Sequence, residues 1–418
     1  MKDRGNAGTS PPLPLRGDWR GFSEGGGSIR IYLDHHATTP VDPEVLAAML
    51  PYFAEKFGNP SSRQHAFGQE ADHAVAAGRA QVAALVGAQP EEIVFTSGAT
   101  ESDNLALRGA ARALAPRGRH VVTTAIEHPA VLEPCRTLER EGFEVTRVEV
   151  DPSGIVDPAR VAAALRADTV LVSVMAANNE VGTLQPVEEI GALCRDRSVA
   201  FHCDAVQALG RIPVDVAAWN VDLMSLSAHK MNGPKGVGAL YVRRDRKPRL
   251  RLQPQAEGGG QEKGLRSGTL NVPGIVGFGV AARLAGHALA SGEPERLRAL
   301  RDRLLAGLEE RIDGVELNGA AEPRLPGNLH VSIERAEAET LILSLGGQIA
   351  LSSGAACAEA GGKGSHVLRA LGLSDERVYT ALRFGLGRYN DAGEIDTVVE
   401  AIAEAVKAAR ERWQPASS

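Results

Sequence analysis

Short apolar runs rich in β-branched side chains recur along residues 43–243, separated by alanine-rich stretches of helical periodicity. Seven of them, at 93–96, 120–125, 144–150, 169–175, 199–203, 222–226 and 238–242, predict strands. The segments at 70–86, 102–115, 129–141, 158–165 and 187–197 predict helices between them. Strands that are apolar without alternation have both faces buried, so this half predicts an α/β fold: a mostly parallel seven-stranded sheet with helices on each face. After Asn271 the rhythm changes. A helical stretch over 272–310, broken near 291–294, leads to strands at 328–333 and 348–351 and helices at 365–371, 374–380 and 392–412. The expected organisation is a flexible leader over 1–30, a large domain over 31–270 whose first residues can pack on the small one, and a smaller α+β domain over 271–418.

Composition narrows the function classes. A chain of 418 residues with 43% hydrophobic and 23% charged residues buries a large core and is not disordered over most of its length. The formal charge of −6 gives no basic excess, which argues against nucleic acid as the main partner. The longest apolar candidate for a membrane span, 276–290, is interrupted by Arg283 and His287, so no membrane span is expected. The leader carries Lys2, Arg4, Pro11, Pro12 and Gly25-Gly26-Gly27 without the apolar centre of a secretion signal. Cys135, Cys194, Cys203 and Cys357 form no CxxC pair and no disulfide pattern, which fits a reducing, cytoplasmic setting.

In open α/β sheets ligands bind beyond the carboxyl ends of the strands. Read there, the chain offers Ser97-Gly98-Ala99-Thr100-Glu101, then Glu127-His128-Pro129, then Asn178-Asn179-Glu180, then Asp204 with Gln207, then Ser227-Ala228-His229-Lys230. The first opens a helix with small and hydroxyl residues, which suits a phosphate and equally suits an ordinary helix cap. Asp204 can cap the next helix or, buried, hold a heterocyclic nitrogen protonated. Lys230, 26 residues further on, follows an apolar strand and precedes the turn-rich Met231-Asn232-Gly233-Pro234, the setting of an imine-forming lysine. His128 before Pro129 can stack on a planar ring or be structural. Together these groups are what pyridoxal phosphate requires. No G-x-G-x-x-G opens the first βα unit, no P-loop occurs, and no Cys/His cluster suggests a metal. His35-His36 read as structural or site-rim residues.

The chain resembles the class I cysteine desulfurases of the NifS/IscS type, which are fold-type I pyridoxal-phosphate enzymes. The resemblance rests on Tyr32-Leu33-Asp34, Ala37-Thr38-Thr39-Pro40, Phe57-Gly58-Asn59-Pro60-Ser61-Ser62, Thr96 through Asn104, Asn178 through Gly182, His229-Lys230, Gly233-Pro234-Lys235-Gly236, Arg266-Ser267-Gly268-Thr269, Ser352 through Cys357, and Arg383-Phe384. It runs over residues 31–401 in the family's order. It implies that Lys230 forms the imine, Asp204 faces the pyridine nitrogen and His128 stacks on the ring as an acid–base partner. Thr100, Ser227 and His229 would take the phosphate, Gln207 the ring hydroxyl, and Asn179 and Arg383 the carboxylate of L-cysteine, with Ala99 also among the cofactor-binding residues. Thr269 would reach the phosphate of a second subunit, which implies a homodimer. Cys357 would attack the substrate sulfur as thiolate, giving L-alanine and a persulfide for an acceptor or scaffold protein in iron–sulfur cluster, tRNA thiolation or cofactor pathways.

Around Cys357 the sequence itself supports mobility: Ala358 to Gly364 holds three glycines and no bulky apolar side chain. Four features depart from the family's pattern. Ala355-Ala356 precede Cys357, Glu257 stands where a histidine is frequent, Cys203 precedes Asp204, and the chain stops soon after Trp413, without the longer tail some members use for docking. Two rival readings are another fold-type I activity, such as selenocysteine lysis or aminotransfer, and a non-catalytic interaction protein on the same fold. Cys357 argues against the first, and the intact set of Lys230, Asp204, His128 and Cys357 against the second.

Overall fold

The computed structural model describes residues 30–353 and 364–412. The expected leader, Cys357 with the glycine-rich stretch after it, and Trp413 lie outside the described residues.

All seven expected strands are present: β1 (Ile93–Thr96), β2 (His120–Thr124), β3 (Glu144–Val148), β4 (Thr169–Ser173), β5 (Ala200–Asp204), β6 (Leu223–Ser227) and β7 (Gly238–Val242). They form one sheet in the order β1-β7-β6-β5-β4-β2-β3. Only β7 runs against its neighbours, pairing antiparallel with both β1 and β6. β1, β2 and β4 are wholly buried, which explains their apolar continuity. β2, β3 and β4 stop one or two residues short of their apolar runs. The backbone stays bonded there without strand geometry: Val174 N–H donates to His202 O at 3.1 Å and Ala176 N–H to Asp204 O at 2.8 Å. The chain thereby bends into the loops that carry polar side chains.

Helix starts follow their caps. Asp157 and His128 each accept a backbone N–H two residues on, and each is followed by proline at the first helical position. The helix Val272–Ala290 is long and apolar enough to cross a membrane by length and composition. Its Ile275, Phe278, Ala281, Ala282 and Ala285 are instead buried in the core of the large sheet, where it packs against Ala66–Leu85.

A second core begins with the next helix, Glu293–Arg311. Its Leu297, Leu300, Leu304 and Leu308 meet Ile395, Val398 and Ile402 of Ala392–Arg412. They cover a three-stranded antiparallel sheet with Asn328–Ile333 between Ala381–Gly385 and Val315–Leu317. The hydrophobic pattern did not predict Ala381–Gly385 as a strand, because Arg383 interrupts the apolar run. Ile31–Tyr32 pairs in parallel with Ile349–Ala350 beside this second core. The chain then crosses to the large sheet, where Thr39 N–H donates to His229 O at 2.9 Å. Residues 34–39 thus run along the junction of the two cores.

Candidate active site

A cavity of about 1440 Å³ lies beyond the carboxyl ends of the parallel strands. Ala99, Thr100, His128, Asn179, Asp204 and Gln207 line it, and so do Ser227, His229, Lys230 and Arg383. The structure thus brings together every expected site residue except two. Thr269 is exposed and outside the cavity of its own chain. Cys357 lies outside the described residues, but Gly364, Ser365 and His366, on the carboxyl side of that stretch, line the same cavity.

Lys230 ends a single 3-10 turn (Ala228–Lys230) that follows β6 directly. Its Nζ donates to His36 O and Ala37 O, both at 2.6 Å. Burial, aided by the guanidinium groups of Arg383 and Arg211, lowers its amine from 10.5 to about 8. An amine so depressed supplies a neutral nucleophile near neutral pH, which imine formation needs.

Asp204 ends β5, and its Oδ1 accepts Val206 N–H at 3.0 Å. Near enough for the two charges to interact lies a second carboxylate that sequence reading missed. Asp103, in the second turn of helix Ala99–Leu114, is fully buried beside the Ser225 hydroxyl. His202 Nε2 stands 3.5 Å from Asp103 Oδ1, and Ser225 and Ser173 hydroxyls bond the two ring nitrogens at 3.0 and 2.8 Å. Burial pushes both carboxyls up. The charge of Asp204 adds to the effect on Asp103, while the Val206 N–H and Lys230 restrain Asp204. Like charges so placed do not both ionise, which leaves Asp204 as the anion. Glu127 is a third buried acid, held up at about 8 by burial although Thr124 Oγ1 and Met175 N–H donate to it.

His128 caps Pro129–Arg140, with Nδ1 accepting Ala130 N–H at 3.1 Å. That bond places any ring proton on Nε2. Burial, Lys230 and His366 lower the ring to about 4, so it is neutral. The helix Ala99–Leu114 begins at Gly98 with no side-chain cap. The backbone N–H groups of its first turn therefore have no acceptor from a cap, as an anion site requires. Ser97 N–H is already taken by Glu101, which Arg266 holds at 2.9 Å.

Arg383 Nη2 donates to Asp34 Oδ1 at 2.9 Å and Nη1 to Asn179 O at 2.8 Å, while Nε–H has no partner among the described residues. Asp34 Oδ1 also accepts Ser352 Oγ–H at 3.1 Å. A buried guanidinium with donor capacity to spare suits a carboxylate ligand. The turn beside it is fixed by Asn178, whose Oδ1 accepts Glu180 and Val181 N–H. Cys203 is buried and outside the cavity, its thiol pushed up by burial, and Glu257 is exposed.

An amine depressed by burial, a buried carboxylate, a neutral imidazole and an uncapped helix start face one space. That donor set fits pyridoxal 5′-phosphate.

The chain is similar to known proteins in sequence and in fold. The aminotransferase class-V family matches residues 31–398. The chain is 56% identical over 383 residues to cysteine desulfurase IscS of Anaeromyxobacter sp. (strain Fw109-5), spanning 92% of this chain and 94% of the relative. A solved NifS-like protein superimposes with a TM-score of 0.84 at 40% identity, over 91% of this chain and all (100%) of its own. SspA in complex with cysteine superimposes with a TM-score of 0.75 at 36% identity, over 86% of this chain and 100% of its own.

Proposed function

The chain belongs to the aminotransferase class-V family, on its cysteine desulfurase branch, and from that premise we propose that it takes sulfur from L-cysteine, releasing L-alanine and leaving the sulfur on Cys357. Pyridoxal 5′-phosphate, when bound, supplies an electron sink that acidifies the substrate Cα–H. The residues of the chain supply the rest. Asp204 keeps the ring nitrogen protonated by ion pairing, and the start of helix Ala99–Leu114 with Ser227 and His229 takes the phosphate. Arg383 and Asn179 hold the substrate carboxylate. The Lys230 amine, once free, moves the Cα proton, and His128 exchanges a proton at Nε2. The Cys357 thiolate then attacks the substrate sulfur. An S–S bond forms, the C–S bond breaks, and its electron pair stays on carbon, which takes up a proton to give alanine.

The observation that carries this reading is the placement of the Lys230 amine in one cavity with Asp204, His128 and Arg383, beside residues 364–366 that follow the Cys357 stretch. Thr269, exposed and outside its own cavity, fits a second copy of the chain completing each phosphate site. A cytoplasmic homodimer delivering persulfide sulfur to an acceptor protein, for iron–sulfur clusters or other sulfur-containing products, is the assembly we propose. The test supplies L-cysteine and follows alanine, sulfide and the mass of the Cys357 peptide. We expect alanine and a persulfide on residue 357, borohydride-fixed cofactor on residue 230, and neither product from Lys230→Ala. Full turnover by Cys357→Ala, or cofactor fixed at another lysine, refutes it.

A further inference from the structure

We infer that His36 is a positioning residue: its backbone carbonyl selects which end of the Gln207 amide is offered to the cofactor, and its ring N–H holds the amide there. This rests on the reading above, in which Gln207 faces the oxygen on the cofactor ring. Residue 36 holds the Gln207 amide at both ends. Its ring Nδ1 lies 3.1 Å from Gln207 Oε1, and its backbone carbonyl accepts Gln207 Nε2–H at 2.9 Å. The same carbonyl accepts Lys230 Nζ–H at 2.6 Å.

Only one amide orientation satisfies both contacts. Rotated by half a turn, Gln207 would set its oxygen against a carbonyl oxygen, two acceptors facing each other. Gln207 Oε1 therefore faces the ring, Nδ1 carries the ring proton, and Nε2 of His36 is left as a bare acceptor. One N–H of the Gln207 amide is spent on the His36 carbonyl. The other remains for the cavity that Gln207 lines. The amide thus offers a donor and not an acceptor, which favours an anionic oxygen on the cofactor ring.

Three further observations keep the ring in this state. His36 is 1% exposed. Its carbon Cδ2 would stand 3.0 Å from a Cβ placed on Gly385, so the strand that carries Arg383 leaves just enough room for the imidazole. Burial, with the charges of Arg211, Arg383 and Lys230, holds the ring well below its usual basicity against the hydrogen bond to Gln207. A ring that stays neutral keeps one tautomer across the working pH range.

Two substitutions separate positioning from packing. His36→Phe fills the space of the ring without a donor, and His36→Asn supplies an N–H donor without filling it. The holoenzyme is titrated with pH while the visible absorption of the bound cofactor is followed. The dissociation constant of pyridoxal 5′-phosphate is measured separately on the cofactor-free chain. Loss of a hydrogen bond that favours the anion predicts, for His36→Phe, a midpoint raised by about one pH unit and affinity weakened roughly tenfold. His36→Asn restores most of both. Gln207→Leu reproduces the His36→Phe values, and adding His36→Phe to it changes nothing further; it carries the test from the other end should His36→Phe fail to fold. The inference is overturned if His36→Phe keeps the wild-type midpoint and affinity, or if Gln207→Leu leaves the midpoint where it was. A wild-type chain that takes up no pyridoxal 5′-phosphate overturns the functional reading as well.

Discussion

The depressed amine of Lys230 makes a quantitative prediction about how the cofactor is captured. Attack on an aldehyde needs the unprotonated amine. With its amine lowered from 10.5 to about 8, Lys230 is neutral in about one molecule in ten at pH 7, against about one in 3000 for an ordinary lysine. The structure therefore predicts covalent capture roughly 300-fold faster at pH 7 than an unperturbed lysine would give. Burial is the largest cause, followed by Arg383 and then Arg211, with Asp34 and Asp204 opposing. Replacing Arg383 by Gln removes a cation and so raises the amine; capture at pH 7 slows while the plateau at high pH is unchanged.

The assay mixes cofactor-free protein with pyridoxal 5′-phosphate and records the visible absorption rise in a stopped-flow instrument across pH. The wild-type rate should be half its plateau near pH 8 and flat by about pH 9.5, and both points should move up in Arg383→Gln. The same displacement sets the sign of a stability effect. Between about 8 and 10.5 the unfolded chain holds a proton on residue 230 that the folded, cofactor-free chain does not. Its stability therefore rises with pH through that window, by at most about 3.4 kcal/mol. A capture rate still climbing past pH 10 in the wild type, or identical profiles for the two proteins, would refute the electrostatic account of this lysine.

Three other outcomes are expected. Arg383→Lys keeps the charge but loses the planar fork, so KM for L-cysteine should rise about tenfold or more with a smaller change in kcat; an unchanged KM removes Arg383 from the carboxylate site. Glu127, buried with its carboxyl raised to about 8, penalises the folded state increasingly as pH rises from about 4.5 to about 8. Wild type should lose stability relative to Glu127→Gln across that interval, by up to about 5 kcal/mol in urea titrations, and a constant difference would show the carboxyl to be ionised throughout. Gly182 sits at φ +74°, where an added Cβ would lie 2.3 Å from Asn328 Cγ; Gly182→Ala should cost more than about 2 kcal/mol of stability, and an unchanged melting temperature would contradict the placement of Asn328.

The carboxyl ends of the strands were legible because two independent patterns meet there. Apolar β-branched runs mark strands with both faces buried, and the polar residue after each run has only the sheet edge to occupy. Ile93–Thr96 and Gly238–Val242 match their expected bounds, and Asp204, Lys230 and His128 follow from the runs at 199–203, 222–226 and 120–125. Ala381–Gly385 was not legible, since Arg383 breaks its pattern and the strand is defined by pairing with Asn328–Ile333. Ile31–Tyr32 and Val315–Leu317 are too short to carry any period. The bond from His36 to Gln207 joins residues 171 positions apart, and no local pattern reports it.

Charge was the property furthest from the sequence. The formal value of −6 counts Asp103, Glu127 and Asp204 as three anions. Asp103 sits in the run Glu101-Ser102-Asp103-Asn104, which reads as the polar opening of a helix, yet the fold turns it inward to full burial beside His202 and Ser225. Burial then pushes its carboxyl and that of Glu127 up, toward the protonated form. Among these three acids only Asp204, relieved by Lys230 and the Val206 N–H, remains available as an anion. Which of these acids keeps its charge depends on the neighbours the fold gives each, and not on its place in a motif. A motif match finds Asp204; the account of why Asp204 carries the charge needs the two acids packed near it, neither of which the strand-end pattern assigns a role.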